Sequence, residues 1–551
     1  MTDSVTQIRS SDQSIRNHLK SYMSSLESGD TSVSQLVDTY KQIRPSLHVN
    51  LFSDKIDIGA LTYCLTRLPR CFFYVETLLL AQHLSDFQNK DLDILSWQNR
   101  IAPDRRRQVF YNPNTKTAIT FLSSDSDIDD IINILICFHI EWSKIGKILT
   151  DNGKGIIDFE KYSLFGLNQT EWQRLKTVLG KNWKNHLQSS TEIKNIVIKL
   201  ISHSDEKYQQ TISAWWTNVS QKSFYLDFSN LPIYFISSNQ HSLVNIIGRY
   251  VTQKENDIFY FIHKKHPDLE KEWQSVKNGS NLVRITDFLY YISGKYFQSY
   301  PDEQLKKIQY EESLGIKKIQ SINELICNVQ IFPVSIFSKL PVVDPSLSLI
   351  NIDKISKSDA LIVNTDYPLG FAAYYVFREI LLKQKNIRGL YSIGKAAILS
   401  GEIGDIQVPS SIFDERTGNI FKINNCFNHE NPIISKQNQV FLNQRAICVY
   451  NPFLENEKQL KGYIDTGFNI VEMESGPLMT SIAQWQSRRD TPQNVVFNIG
   501  KLPFDYGIIN YASDNPLSRT LGEGSMAIRG VEPTYLATIS VLQRIIDLEC
   551  I

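Results

Sequence analysis

Two glutamates flank a methionine at the end of an apolar run in GFNIVEMESGPLMTSIA (467–483). The run predicts a strand and the residues after it predict a helix, so Glu472 and Glu474 fall where the two elements meet. A carboxylate at such a junction can cap the helix, or it can accept two hydrogen bonds from a ligand at once. Taken alone, the motif favours the cap.

Aspartates recur in SSDSDIDD (123–130), directly before the apolar stretch IINILICFHIEWSKIGKIL. Serine and aspartate cap helices, and negative charge is favoured at a helix N-terminus. A calcium loop would also contain a glycine and a distal glutamate at fixed spacing, and this run has neither. The run therefore favours a helix start over a metal site, and we expect no bound metal.

A polar loop follows a buried-type strand in LPIYFISSNQHSLVNIIGRYV (231–251), and an amphipathic helix follows the loop. Ligands of α/β proteins bind at the carboxyl ends of strands, so this loop is a candidate site for a phosphate or a nucleotide. It contains no glycine-rich fingerprint. An ordinary capped helix is the favoured interpretation, and the candidate residues are Ser238, Asn239, His241 and Ser242.

Hydrophobic periodicity divides the chain into regions that must position these residues. Up to about residue 330 helical spacing dominates, interrupted by a hairpin around Asn-Pro-Asn in QVFYNPNTKTAITFL. Strands and helices then alternate, which predicts a mostly parallel or mixed sheet covered by helices. We expect a flexible N-terminus (1–20), a mainly helical domain with a β-hairpin (21–150), a helical region with a strand–loop–helix unit (151–330) and an α/β domain (331–551).

Composition excludes several classes of function. The chain has 551 residues, with 58 Lys and Arg against 58 Asp and Glu, so the formal net charge is zero. We therefore expect no nucleic-acid partner and no association with an anionic membrane. The seven cysteines are scattered without a CxxC pair, which favours reduced thiols. No secretory signal is recognisable at the N-terminus, and we expect a cytoplasmic protein.

Four stretches of the last 220 residues or so resemble, in order, the nucleoside phosphorylase and nucleosidase superfamily. They are GFAAYYVFREIL, GLYSIGKAAILSGEIGDIQVPSSIFDE, GFNIVEMESG and INYASDNP. The resemblance implies the purine nucleoside phosphorylase fold, a mixed sheet flanked by helices. It also implies a homo-oligomer, since active sites in this superfamily commonly sit near subunit contacts.

The resemblance implies a role for each candidate residue. Cleavage of an N-glycosidic bond needs a carboxylate for the ribose hydroxyls, an apolar contact beneath the sugar and an acid for the leaving base. Glu474 is the candidate ribose carboxylate, and Asp514 is the candidate acid. The substrate-binding candidates are Met473 beneath the sugar, Glu472 on the nucleophile side, Ser392 and Gly394 in a turn around phosphate or water, Tyr450 near the sugar and base, and Ser513 orienting Asp514.

Departures from the family pattern bear on the reaction. The stretch that corresponds to the glycine-rich phosphate loop is VNTDYPLG, in which Gly370 is the single glycine and Asp366 would repel phosphate. Lys395 is an added cation, and the arginine often found before the second turn is displaced to Arg388. These changes weaken phosphorolysis more than hydrolysis, with phosphate retained as a possible co-substrate. Arg519 and Arg529 are alternative residues for tuning Asp514.

Two functions remain open. The first is cleavage of the base–ribose bond of a purine nucleoside or nucleotide, hydrolysis favoured, with no cofactor and with residues 1–330 accessory. The second is a sensor or scaffold that keeps the pocket and binds a nucleoside or nucleotide without turnover. A small-molecule nucleoside or nucleotide is the expected partner in both.

Overall fold

A computed structural model describes residues 13–87, 92–151, 159, 161–192, 195–279, 284–321, 327–339, 344–433, 438–517 and 530–551. The candidates Arg519 and Arg529 lie outside these ranges. The strands are β1 (Thr31–Ser32), β2 (Thr77–Ala81), β3 (Gln98–Ala102), β4 (Arg105–Asn112), β5 (Thr117–Phe121), β6 (Val197–Leu200), β7 (Ile233–Ser238), β8 (Lys317–Ile319), β9 (Val329–Pro333), β10 (Leu361–Asp366), β11 (Ile387–Ile398), β12 (Ile406–Asp414), β13 (Asn419–Ile423), β14 (Val440–Cys448), β15 (Ile470–Glu472), β16 (Val496–Ile499) and β17 (Asp505–Asp514).

Helices surround these strands through the described ranges. They are α1 (Gln13–Ser28), α2 (Val37–Ile43), α3 (Ile58–Arg67), α4 (Asp125–Asp151), α5 (Gln169–Leu179), α6 (Trp183–Ser189), α7 (Asp205–Lys222), α8 (Ser242–Gly248), α9 (Tyr250–Gln253), α10 (Glu255–Lys265), α11 (Pro267–Lys277), α12 (Ile285–Ser299), α13 (Pro301–Ser313), α14 (Ile336–Lys339), α15 (Ile352–Ser356), α16 (Ala372–Lys383), α17 (Glu457–Asp465), α18 (Ser475–Ser487) and α19 (Val531–Cys550). Among the described residues, none of these helices is long and apolar enough to span a bilayer.

The N-terminal part contains more sheet than the sequence predicted. The predicted hairpin is confirmed, since β4 and β5 pair antiparallel. The hairpin belongs to a six-stranded sheet ordered β1-β6-β2-β5-β4-β3, in which β2 lies parallel to β5 and β6. The prediction of a flexible N-terminus was wrong for residues 13–20, because these residues belong to α1, in which Ile15 and His18 are buried. Residues 1–12 of that prediction lie outside the described ranges.

The C-terminal part forms the mixed sheet flanked by helices that the sequence predicted. Its path runs β16-β13-β12-β14-β15-β11-β7-β10-β9-β8, and β17 pairs with β11 and β12 to complete eleven strands. The sheet crosses the predicted boundary at residue 330, because β7 lies between β10 and β11 and is parallel to both. On the other side of β10 lies β9, which pairs with it antiparallel.

Alternating apolar residues give the large sheet two buried faces. On one face, Phe235 and Val363 join a core that continues into the N-terminal part through residues such as Trp215. On the other face, Tyr234 and Ile362 join a second core with α8, α12 and α19. A strand buried on both faces reads as a continuous apolar run, as β7 does. The N-terminal part is therefore packed against the large sheet on one face.

Candidate functional site

The Glu-Met-Glu stretch lies at the predicted junction between β15 and α18. Glu472 is buried, and its carboxylate accepts hydrogen bonds from the backbone N–H of Glu474 at 2.7 Å and of Ser475 at 2.8 Å. It also accepts one from the Ser475 hydroxyl. These bonds satisfy N–H groups at the start of α18 that have no partner within the helix. Glu472 therefore caps the helix, and it is not among the described residues that line the cavity next to it.

Glu474 points the other way and lines a cavity of about 1020 Å³. Its carboxylate is half-buried, with Oε1 accepting from the Gly370 N–H at 2.9 Å and Oε2 from the Met473 N–H at 3.3 Å. Burial, followed by the negative charge of Glu472, raises the pKa of the Glu474 carboxyl to about 7, although the two N–H groups oppose this. Near neutral pH the Glu474 carboxyl can therefore be protonated or ionised, and a ligand in the cavity can shift that balance.

Gly370 holds Glu474 through a backbone position that only glycine fits. Its φ is +53°, and a Cβ there would lie 2.4 Å from Ser126 Oγ and 3.3 Å from Met473 Cε. The next N–H, from Phe371, donates to Ser126 Oγ at 2.9 Å. Ser126 is in the first turn of α4, so the N-terminal part directly contacts the loop that carries Gly370. The glycine retained in VNTDYPLG thus serves close packing between the two parts.

The cavity opens at the carboxyl ends of the parallel strands, where α/β proteins bind ligands. Asn239 follows β7, and Tyr367, Pro368 and Leu369 follow β10. Gly394 lines the cavity from β11. Residues of α12, α13 and α19 line it as well, and they come from segments that flank the large sheet on its second face. Its volume is at the upper end of the range, about 300–1,000 Å³, that is typical of small-molecule sites.

A compensated charge cluster from the N-terminal part lines another wall of the cavity. Arg105 binds Asp130 through two hydrogen bonds of 3.0 and 2.8 Å. Arg107 binds Asp127 at 2.6 Å and Asp130 at 3.2 Å. Burial alone would raise the pKa of Asp130, but the guanidiniums of Arg105 and Arg107 bring it well below its usual value. The four side chains together are neutral.

These arginines were not predicted to belong to the site, although DRRRQVF in β4 carries a signal. Alternate residues of a strand share a face, so Arg105 and Arg107 are expected on one side. The aspartates of SSDSDIDD are their partners, and the predicted helix start is confirmed, since α4 begins at Asp125. Among the described residues no group of His, Cys, Asp and Glu side chains is arranged to hold a metal ion.

Lys395 brings an uncompensated cation to the cavity. It lies on β11 next to Gly394, is exposed, and lines the cavity. Within the described ranges its side chain makes neither a hydrogen bond nor an ion pair, although its backbone pairs with Tyr511 of β17. The sequence shows this lysine as an added cation of unknown direction, and in the structure it lines the same space as Glu474.

Asp514 and Ser513 form the predicted pair, since the Ser513 hydroxyl donates to Asp514 Oδ2 at 2.6 Å. They end β17, where Asp514 pairs with Ala397 of β11. Neither residue is among the described residues that line the cavity, although Tyr511 of the same strand is. The structure therefore does not bring Asp514 into the cavity that Glu474 lines.

The remaining candidates also lie outside the described lining of the cavity. The turn predicted in SIGKAA is wrong, because β11 runs unbroken through it and pairs Ser392 with Ser237 of β7. The ring of Tyr450 lies under the Arg416 guanidinium at 4.6 Å. Met473 packs against Gly370 behind the cavity wall. The Arg388 guanidinium binds Glu549 of α19.

Loop 238–242 adopts the favoured capped-helix arrangement and still reaches the cavity. The Asn239 Oδ1 accepts the N–H groups of His241 at 2.9 Å and Ser242 at 2.7 Å. The Ser238 hydroxyl donates to the Asn364 amide at 2.7 Å. Asn239 and His241 line the cavity, so capping and ligand contact are compatible here.

Solved structures similar to this chain are nucleosidases and nucleoside phosphorylases, each matching part of it. A 5′-methylthioadenosine/S-adenosylhomocysteine nucleosidase from S. pneumoniae is 11% identical over 42% of this chain and 90% of its own, with a TM-score of 0.29. Toxoplasma gondii purine nucleoside phosphorylase is 13% identical over 42% and 84%, with a TM-score of 0.27. Arabidopsis thaliana 5′-methylthioadenosine nucleosidase is 10% identical over 43% and 89%, with a TM-score of 0.28.

The sequence itself places the chain in a family. Residues 33–547 match the sequence profile described as "Family of unknown function (DUF6909)", and the chain belongs to this family. The match covers the N-terminal part and the large sheet together. No curated protein matches the chain.

Proposed function

We propose that the protein binds a purine nucleoside or nucleotide in the cavity, with the Glu474 carboxylate accepting hydrogen bonds from the ribose hydroxyls. One observation carries the proposal: at the strand–helix junction that resembles the nucleosidase signature, Glu474 faces a ligand-sized space. Glu472, two positions earlier, is consumed by the helix cap.

The number of unoccupied acceptor sites on the Glu474 carboxylate supports the ribose contact. An ionised carboxylate has about four acceptor sites. The N–H groups of Gly370 and Met473 occupy one on each oxygen of Glu474. The remaining sites match the two neighbouring hydroxyls of a ribose, whose hydrogens can be donated to one carboxylate together. Each such bond is charge-assisted and hence stronger than a neutral one.

Lys395 extends the proposal to nucleotides. An exposed lysine with no partner among the described residues can offer its three N–H donors to a phosphate. The cluster of Arg105, Arg107, Asp127 and Asp130 is formally neutral, and Lys307, which also lines the cavity, is paired with Glu311 at 3.5 Å. Lys395 remains as a lining cation without a described partner, and it could meet a nucleotide phosphate while Glu474 holds the ribose.

Calorimetric titration of the purified chain with adenosine and with 2′,3′-dideoxyadenosine tests the ribose contact. We expect Glu474→Gln to weaken adenosine binding about tenfold to a hundredfold, because a hydrogen bond to a charged group contributes about 1.5–3 kcal/mol. The variant should scarcely change the binding of the dideoxynucleoside, which lacks both hydroxyls.

Glu457→Gln is the matched control, since Glu457 is an exposed glutamate of α17 paired with Lys461 at 2.7 Å. Equal adenosine affinity in wild type and Glu474→Gln would contradict the proposal. So would equal weakening of both nucleosides, which indicates a general loss of the fold.

Cleavage of the base–ribose bond is the second candidate, supported by the Ser513–Asp514 hydrogen bond of 2.6 Å. In hydrolysis, the oxygen of water would bond to C1′, the bond from C1′ to the base would break, and the base nitrogen would take a proton from Asp514. The proton that the water loses would return through solvent to Asp514. Asp514 must then approach a base bound in the cavity that Glu474 lines. Hydrolysis is favoured over phosphorolysis because β10 ends in Asp366 and a glycine-rich loop does not follow it.

Chromatography of free base separates binding from turnover. The protein is incubated with purine nucleosides and nucleotides, with and without phosphate. Base release that Asp514→Asn abolishes supports cleavage, and its dependence on phosphate identifies phosphorolysis. Binding without release supports the sensor. The homo-oligomer, the cytoplasmic location and the lack of a nucleic-acid or membrane partner stay predictions.

A further inference from the structure

Three buried polar groups without partners meet at one end of the cavity, which we call the polar end. It consists of Asn239 after β7, Asn245 in α8 and Tyr290 in α12, and all three line the cavity. Their exposed fractions are 5%, 3% and 4%. The atoms Asn239 Nδ2, Asn245 Oδ1 and Tyr290 Oη find no hydrogen-bond partner within the described part of the chain.

The orientation of the Asn239 amide follows from its neighbours. Its Oδ1 accepts two backbone N–H groups, from His241 and Ser242, so the oxygen cannot be exchanged with the nitrogen. The unpartnered Nδ2 is consequently a donor. Asn239 therefore offers N–H donors to whatever occupies the polar end.

Asn245 supplies the complementary acceptor. Its Nδ2 donates to the Tyr535 hydroxyl at 2.8 Å, and that hydroxyl lies 3.3 Å from His241 Nδ1. A Tyr535 hydroxyl that donates to His241 must accept from Asn245, which leaves Asn245 Oδ1 as a free acceptor. The Tyr290 hydroxyl can donate or accept, and its ring stacks on Tyr535 with centroids 4.8 Å apart.

A buried polar group without a partner costs about 1–3 kcal/mol, so three at one place are expensive unless a ligand satisfies them. The groups are uncharged, and the Asn245 oxygen would repel a phosphate. They complement a neutral, planar group with a donor beside an acceptor, which describes the hydrogen-bonding edge of a purine base.

We infer that Asn239, Asn245 and Tyr290 form a subsite that reads the hydrogen-bonding edge of the ligand's purine base. The inference rests on the proposed nucleoside binding for the identity of the ligand, but not on the ribose contact of Glu474. It assigns base recognition to the loop after β7, to α8 and to α12, and not to Asp514. The cavity then separates the sugar wall at Glu474 from the base-reading polar end.

Tyr290→Phe tests the subsite, because it removes the hydroxyl and keeps the ring. The ligands are the free bases adenine, hypoxanthine and guanine, together with adenosine, titrated by calorimetry. We expect at least one free base to bind, and Tyr290→Phe to weaken that base and adenosine about fivefold to twentyfold. The ligand-free variant should melt at the same temperature as wild type or higher, since an unpaired buried hydroxyl is lost.

Tyr296→Phe is the control, because Tyr296 is buried on the same helix but is not among the described residues that line the cavity. It should leave every affinity unchanged. Asn239→Asp is a second variant that keeps the Oδ1 acceptor for α8 and replaces the free donor by an oxygen. Asn239→Asp should also weaken base binding. Its helix content, measured by circular dichroism, should equal that of wild type.

The outcomes separate this inference from the proposed function. If none of the three bases binds to wild type at millimolar concentration, or if Tyr290→Phe and Asn239→Asp bind a base as well as wild type does, the polar end is not a base subsite. Adenosine binding that depends on Glu474 would survive either result. Conversely, base binding that requires Tyr290 while Glu474→Gln changes nothing would support the subsite and overturn the ribose contact.

Discussion

Two walls of the same cavity carry their charges in different ways. On the wall from the N-terminal part, the guanidiniums of Arg105 and Arg107 are matched by the carboxylates of Asp127 and Asp130. On the wall from the large sheet, Glu474 accepts two backbone N–H groups, and Lys395 has no partner within the described ranges.

The difference separates charges that hold the structure from charges that await a ligand. Removing one member of a buried ion pair leaves its partner uncompensated, so a matched cluster is expected to matter for stability. A group whose hydrogen-bonding capacity is unfilled gains its partners only when something binds. The first wall therefore holds β4 against α4, and the second wall keeps hydrogen-bonding capacity that a ligand could fill.

The largest effect is expected from Asp130→Ala, which breaks the matched wall. Both guanidiniums lose hydrogen bonds to Asp130, so the free energy of unfolding should fall by about 3–5 kcal/mol. Urea denaturation followed by circular dichroism measures it. Asp54→Ala is the control, since Asp54 forms an exposed pair with Lys147 at 3.2 Å and should contribute at most about 1 kcal/mol. Equal losses of unfolding free energy in both variants would show that the matched cluster stabilises the protein no more than an exposed ion pair does.

Gly370→Ala should have an intermediate effect, because Gly370 joins the two walls. An alanine there combines a strained φ with a Cβ that meets Ser126, and we expect a loss of about 2–4 kcal/mol. Gly166→Ala isolates the backbone part, since Gly166 has φ +67° and open space around it, and should cost about 1 kcal/mol. Thermal and urea unfolding of both variants measure the difference. Identical losses would mean that the Ser126 contact contributes nothing.

Lys395→Ala should have the smallest effect on stability, within about 0.5 kcal/mol, because no described residue depends on the lysine. Its effect should appear in binding, with AMP affinity falling about fivefold and adenosine affinity unchanged, the equivalent of about 1 kcal/mol. Lys422→Ala is the control, as Lys422 is an exposed lysine on β13 away from the cavity. An unchanged ratio of AMP to adenosine affinity would show that Lys395 does not meet a phosphate.

Much of the fold could be predicted because its signals are local. The hairpin of β4 and β5, the helix that starts at Asp125 and the alternation of strands and helices after residue 331 all follow from short periodic patterns. The failures involve partners distant in sequence. Nothing near β7 indicates that residues 233–238 lie between β10 and β11, because strand order depends on the packing of the whole sheet.

The candidate site divides in the same way. The sequence identified Glu474 and Gly394, which line the cavity, and noted Lys395, Asn239 and His241. It placed Asp514 at the same ligand, which the cavity lining does not support, and it treated residues 1–330 as accessory. Arg105, Arg107 and Tyr290 come from that accessory region and line the cavity too. The spacing of apolar residues along each helix or strand predicts which of its faces is buried. It does not predict which cavity that face lines.

The sequence by itself determined that a carboxylate would stand at a strand–helix junction, because residues 467–483 contain both the apolar run and the helix start. Only the tertiary structure decided which glutamate caps the helix and which faces the ligand space. The reason is physical: Glu472 is fixed by N–H groups two and three residues away, whereas Glu474 is fixed by Gly370, 104 residues earlier in the chain. Such a contact exists only once β10 and β15 have joined the same sheet, in which β11 and β7 lie between them.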